Sequence, residues 1–180
     1  MKDIQSISHE IREKARNLSG IKIISLAIFG STARHENHAD SDVDLLVVAE
    51  GIAKKRIQRI PDIVKIKRGL NLGFPLDILL VSKDECQLNF MNHNPLYLDI
   101  ALDAEIIYDT GFLENLIKET REYIDSNNIR RGVDSWSFPV KERTATNLSK
   151  TSNKEWASVW LEDGVYRKSR NCIQDRQRIH

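Results

Sequence analysis

Three aspartates and one Gly-Ser corner are the residues of this chain whose types and spacing could do chemistry. Asp42 and Asp44 stand two apart at the start of the apolar run VDLLVVA, and Gly30-Ser31 closes the apolar run IKIISLAIF before it. Side chains two apart on a strand leave the same face, about 6 to 7 Å from each other, so both carboxylates can turn to one or two hard cations. Mg²⁺ suits such a place: it takes oxygen ligands, keeps several waters and is usually held by one or two carboxylates together with substrate phosphates. Asp77, within PLDILLV, is a third acid in a strand-like apolar run, where an unpaired charge is expensive. Three clustered carboxylates repel by about 4 kcal/mol per pair at 4 Å under an effective dielectric of 20. A divalent cation offsets that repulsion, so the cluster predicts a metal.

The Gly-Ser corner supplies the other half of a transfer site. Gly30 lets the backbone turn sharply and approach a ligand, Ser31 adds a hydroxyl, and amides at the start of a short helical turn from Ser31 to Arg34 can bind phosphate oxygens. Arg34 brings a planar cationic fork that fits polyphosphate. Together these parts describe a nucleoside triphosphate lying between a Gly-Ser turn and a metal-loaded strand. His35 and His38 have no ligand-like spacing to another His or Cys and read as solvated loop residues.

Gly30, Ser31, Ala33, Arg34, Ser41, Asp42, Asp44 and Asp77 match, in order and spacing, the signature of the DNA polymerase β-type nucleotidyltransferase superfamily. Over about residues 1 to 125 the chain resembles the small prokaryotic minimal nucleotidyltransferases, some of them antitoxins. They commonly carry Gly after the Arg, where this chain has His35. The resemblance implies an α/β (α+β) fold, a polymerase β-like palm with a small mixed sheet and helices on its face. It also implies transfer of a nucleoside monophosphate, AMP from ATP, to an acceptor hydroxyl with release of pyrophosphate. Asp42, Asp44 and Asp77 would hold two Mg²⁺ ions, with Asp77 as general base; Gly30, Ser31 and Arg34 would hold the pyrophosphate. In toxin-antitoxin pairs such enzymes adenylylate a tyrosine on a HEPN (higher eukaryote and prokaryote nucleotide-binding) partner, which makes a HEPN-type protein the expected partner. The alternatives are a small-molecule, antibiotic-type acceptor and a non-catalytic, antitoxin-like binding module.

The rest of the chain must position these residues. Ile4, Ile7, Ile11, Ala15 and Leu18 recur at helical spacing over residues 3 to 18. Strands follow at 21–29 and 43–49, the second apolar on both faces and therefore interior. A helical pattern over 52–68 has Pro61 ending or kinking its first piece, a loop spans 69–73, and the strand bearing Asp77 returns beside the second strand. The 33 positions from Asp44 to Asp77 are enough for a crossover helix between parallel neighbours. Helices at 83–91 and 95–103, a strand at 105–108 and a helix over 113–124 complete the nucleotidyltransferase domain, 1–126. Asp99 and Asp103 read as solvated.

A linker is expected over 127–150 and a helical or partly ordered extension over 151–180, with Ser152 and Glu155 as a capping box before Trp156 and Trp160. The stretch from Asp134 to Gly164 resembles the entry into a HEPN domain, but the Arg-x4-6-His pattern of those nucleases is absent. At 180 residues and net charge +1, the chain has no bulk field for nucleic acid, and no template-binding role is expected. Lys54-Lys55-Arg56 and Lys65-Lys67-Arg68 read as solvated faces. Cys86 and Cys172 have neither zinc-site nor disulfide spacing. No leader and no apolar run of about 18 residues is present, so a cytoplasmic protein without membrane contact is expected, compatible with homo-oligomers.

Overall fold

The computed structural model describes residues 4–15, 20–36, 41–133, 135–139 and 165–167. Its first unit, residues 1–121, is built on four strands: β1 (Lys22–Phe29), β2 (Val43–Glu50), β3 (Leu76–Ser82) and β4 (Glu105–Asp109). They lie in the order β3-β2-β1-β4. β1 is antiparallel to both β2 and β4, whereas β2 and β3 run parallel, so the sheet is mixed, as expected. β2 is interior, and its residues 45–49 are all buried.

Alternation along the strands divides the core. One face carries Leu26, Ile28, Leu45, Val47, Ile78 and Leu80 beneath α1 (Ile4–Ala15) and α3 (Ile60–Leu70). The other carries Ala27, Phe29, Leu46, Val48 and Val81 beneath α4 (Lys83–Met91), α5 (Pro95–Asp103) and the first turns of α6 (Phe112–Ser126). α1 turns Ile4, Ile7 and Ile11 to the sheet. It is tied to β4 by Arg12 Nε donating to the Ile107 carbonyl at 3.0 Å and Ser8 Oγ to Glu105 at 3.2 Å.

The β2–β3 crossover differs from the expected helix at 52–68. A single 3-10 turn, Arg56–Arg59, comes first, and Pro61 opens α3 instead of ending a helix. A first-turn residue has no helical carbonyl for its N–H, so Pro costs nothing there. α3 then runs through Gly69 and stops at Asn71, whose φ of 39° is left-handed. Arg59 is buried within this crossover. Its guanidinium donates to the carbonyls of Ala53 (2.5 Å), Lys54 (2.9 Å) and Leu80 (3.1 Å), and grips the Glu85 carboxylate at 2.7 and 2.9 Å. Glu85 also closes a capping box with Ser82 at the start of α4, so one arginine joins the crossover, β3 and α4.

In the second unit, residues 122–180, three short antiparallel strands, β5 (Arg130–Arg131), β6 (Ser135–Ser137) and β7 (Val165–Arg167), form a separate sheet. The linker reading of 127–150 did not foresee β5 and β6, which are too short to leave a period in sequence. The capping box at Ser152, the helix with Trp156 and Trp160, Cys172 and the polar tail after Arg167 lie outside the described residues, as do His38 and the ends of the 3–18 helix. No helix among the described residues is long and apolar enough to cross a membrane.

Candidate active site

Gly30 follows the end of β1 with φ +74°, a backbone that disfavours any side chain. A Cβ there would stand 3.0 Å from Asp44 Cγ and 3.3 Å from Asp44 Cβ, so the turn and the carboxylate are pressed together. α2, Gly30–Ala33, is a single turn. Ser31 is half-buried on it, and Thr32 is buried with its hydroxyl making no hydrogen bond to a described residue. His35 closes the turn at φ +59°. That is the left-handed region glycine prefers, so a Gly at this place would be unstrained.

Pairing register carries the aspartates into one row. Phe29 on β1 faces Asp44 on β2, and Asp44 faces Asp77 on β3. Register partners on adjacent strands share a face and stand about 4.8 Å apart, so Asp44 and Asp77 project from the sheet side by side. Asp44 is half-buried and Asp77 exposed. The expected desolvation cost at Asp77 therefore does not arise, because β3 is an edge strand and Asp77 lies near its start. Asp42 precedes β2 and is exposed; it lines a cleft of about 540 Å³ with Lys67, Arg68 and the chain from 71 to 76. Among the described residues, no group of three or more His, Cys, Asp or Glu side chains converges as a ready metal cage.

Arg34 is engaged within the chain. Its Nε donates to Glu36 Oε2 at 2.7 Å, and Nη1 stands 3.7 Å from Asp103 Oδ2. The Glu36 hydrogen bond raises the guanidinium pKa against the opposing effect of burial, with further attraction from Glu36, Asp103 and Asp99. Asp103, expected to be solvated, thus has its side chain only 17% exposed beside Arg34. That pairing joins helices α2 and α5 across the fold and leaves no local signal in sequence. Cys86 is buried, and burial, then Asp109, pushes its thiol up to about 12, which removes it as a nucleophile at neutral pH.

The stretch that carries these residues is similar to known proteins. A family profile described as nucleotidyltransferase domain matches residues 8–111. A provisionally named protein adenylyltransferase of Methanocaldococcus jannaschii is 34% identical over 130 residues, 68% of this chain and 84% of that one. Among solved structures, a toxin-antitoxin with AMP-PNP is similar at 18% identity, covering 67% of this chain and 92% of that one, with a TM-score of 0.38. A tri-AMPylated Shewanella oneidensis HEPN toxin in complex with MNT antitoxin is similar at 17% identity, covering 69% and 92%, with a TM-score of 0.35. Likenesses as distant as these two decide nothing about partners.

Proposed function

Because this chain belongs to the nucleotidyltransferase domain family and is a transferase, we propose that it moves AMP from ATP to a hydroxyl on a partner protein. The observation that carries the reading is the Asp44–Asp77 register pair, set beside the Gly30-Ser31 corner. The archaeal relative's name, protein adenylyltransferase, supports a protein acceptor, and the HEPN class follows from the resemblance alone.

The donor set fits a hard divalent cation. Asp44 and Asp77 leave one face as neighbours, and Asp42, exposed just before β2, stands two positions from Asp44. Mutual repulsion of about 4 kcal/mol per close pair keeps such carboxylates apart until a cation joins them. Bound Mg²⁺, one ion or two, would neutralise phosphate charge and stabilise the attacking and leaving oxygens of an in-line displacement.

Asp42 and Asp44 would hold the cation, while Ser31 and the amides of the α2 turn orient the terminal phosphates of the nucleotide. Asp77, exposed on the acceptor side, takes the proton of the attacking hydroxyl as general base. The acceptor oxygen bonds to the α-phosphorus as the bond from that phosphorus to the bridging oxygen breaks, and pyrophosphate leaves. Arg34 must exchange exposed Glu36 for the leaving phosphates, a small cost because surface ion pairs contribute about 0 to 1 kcal/mol.

The test incubates the full chain with α-labelled ATP, Mg²⁺ and candidate partner proteins. Label retained on a protein band is expected, and Asp42→Asn, Asp44→Asn or Asp77→Asn should abolish it while circular dichroism stays unchanged. Full labelling by Asp42→Asn would sink the metal role, and label only on small molecules would move the acceptor to that class. The Arg34–Glu36 pair favours one second reading, a non-catalytic binding module whose phosphate cation is already neutralised. Partner binding that survives loss of all three aspartates, with no label transferred by the native chain, is its signature.

A further inference from the structure

Arg34 stands between two carboxylates that the fold holds in different ways. Glu36 accepts from its Nε at 2.7 Å, and Asp103 stands 3.7 Å from Nη1. The Glu36 side chain is 61% exposed and that of Asp103 only 17%, so the first is free to leave for water and the second is walled in. Glu36 reaches the guanidinium by a local fold-back: His35 takes the left-handed conformation, and the Glu36 amide donates to the Ser31 carbonyl at 2.9 Å. Asp103 comes from the last turn of α5, and Asp99, one turn earlier on that helix, adds attraction for the same guanidinium.

The faces of the sheet decide which carboxylate serves the site. Val43 and Leu45, which flank Asp44, and Leu76 and Ile78, which flank Asp77, all pack on the α1 and α3 side. Alternation therefore sends both aspartates to the other face, the one covered by α5. A guanidinium drawn to Asp103 lies over that same face, toward the phosphates of a nucleotide held by the aspartates. Glu36, in contrast, occupies a donor that a phosphate oxygen could take.

We propose, resting on the transfer reading above, that the two carboxylates have opposite roles toward Arg34. Asp103 is a positioning residue that keeps the guanidinium over the aspartate row, and Glu36 is a built-in competitor that the leaving phosphates displace. A guanidinium has five N–H donors in a fixed fork, so Nη1 stays on Asp103 while Nε and Nη2 pass to phosphate. Asp103 thereby spares the nucleotide the ordering of a long side chain, a cost that otherwise falls on binding. Glu36 takes the guanidinium back as pyrophosphate leaves.

The experiment measures dissociation constants by calorimetry for α,β-methylene-ATP and for inorganic pyrophosphate, both with Mg²⁺, on the full chain and on Glu36→Gln and Asp103→Asn. Removing a negative charge near an anionic ligand tightens binding if the charge does nothing else, so charge alone gives both variants the same sign. Opposite signs are expected. Glu36→Gln should bind both ligands about threefold more tightly, the size of an exposed pair. Asp103→Asn should bind them about fivefold more weakly, the ordering cost of one long side chain. In an Arg34→Gln background both changes should vanish, which a merely structural role of Asp103 would not produce. Asp103→Glu, which keeps the charge, should restore most of the affinity and guards against misfolding as the cause. Equal or tighter binding by Asp103→Asn, or a loss that persists without Arg34, overturns the positioning role. Unchanged or weaker binding by Glu36→Gln overturns the competitor. Failure of the native chain to bind either ligand sinks the transfer reading and this assignment with it, whereas the other results sink the assignment alone.

Discussion

The Asp44 carboxyl lies against the Cα of Gly30, close enough that no side chain fits between them. Gly30→Ala therefore meets two penalties: a left-handed backbone costing about 1 to 2 kcal/mol and displacement of Asp44. Thermal unfolding should show a Tm lower by about 3 °C or more, and Mg²⁺-dependent binding of an ATP analogue should fall at least tenfold. A variant with native Tm and native binding would show that the corner tolerates a Cβ.

His35 stands at φ +59° with its side chain exposed. His35→Gly should raise stability by about 0.5 to 1 kcal/mol, since relief of left-handed strain exceeds the added freedom of the unfolded glycine. His35→Val should lower it by more than about 1 kcal/mol, because β-branching fits that region worst. Urea midpoints of the three proteins check the order.

Arg59 makes its five hydrogen-bonded contacts from a buried position. Arg59→Ala leaves Glu85 and the Leu80 carbonyl without it and should cost about 3 kcal/mol or more. Arg59→Lys should recover only part, since an ammonium cannot span the carbonyls and grip both carboxylate oxygens together. Equal stability of Arg59→Ala and the native chain in urea would contradict this.

Asp109 is pulled upward by burial, but hydrogen bonds from Ser25 Oγ and the amides of Glu114, Leu113 and Thr110 outweigh that and hold its carboxyl below the usual range. A folded pKa lowered in this way favours the charged form. The stabilisation is present above the unfolded value of about 3.9 and is lost as pH falls through the folded value. Asp109→Asn should be less stable than the native chain at pH 7, and the gap should close on acidification below about pH 4. Glu85, also lowered, against burial, by Arg59 and Ser82, keeps some acid sensitivity in the variant. A gap constant from pH 7 to pH 3 would refute the assignment.

Legibility in sequence followed the length of each pattern. The four strands of the first unit, the interior place of β2 and the helices at 83–91 and 95–103 have periods long enough to read, and they stand in the structure within a residue or two. Pro61 misled because its meaning depends on whether it falls inside a helix or in the first turn. Arg59 carries no local mark of its place; only the closing of the crossover over β3 buries it. Asp103 read as solvated because its partner, Arg34, lies 69 positions away.

By itself the sequence determined the chemical parts: a Gly-Ser corner after one strand, two aspartates opening the next, and a third in a strand that had to return beside it. Residue types and offsets of two persist whatever the distant contacts are, because a strand's alternation is local. Tertiary structure alone decided that Asp44 and Asp77 are register partners, that Arg34 is held by Glu36 and Asp103, and that Lys67 and Arg68 share a cleft with Asp42. Those are pairings between distant segments, set by how a parallel crossover packs against the sheet, and no local pattern encodes them.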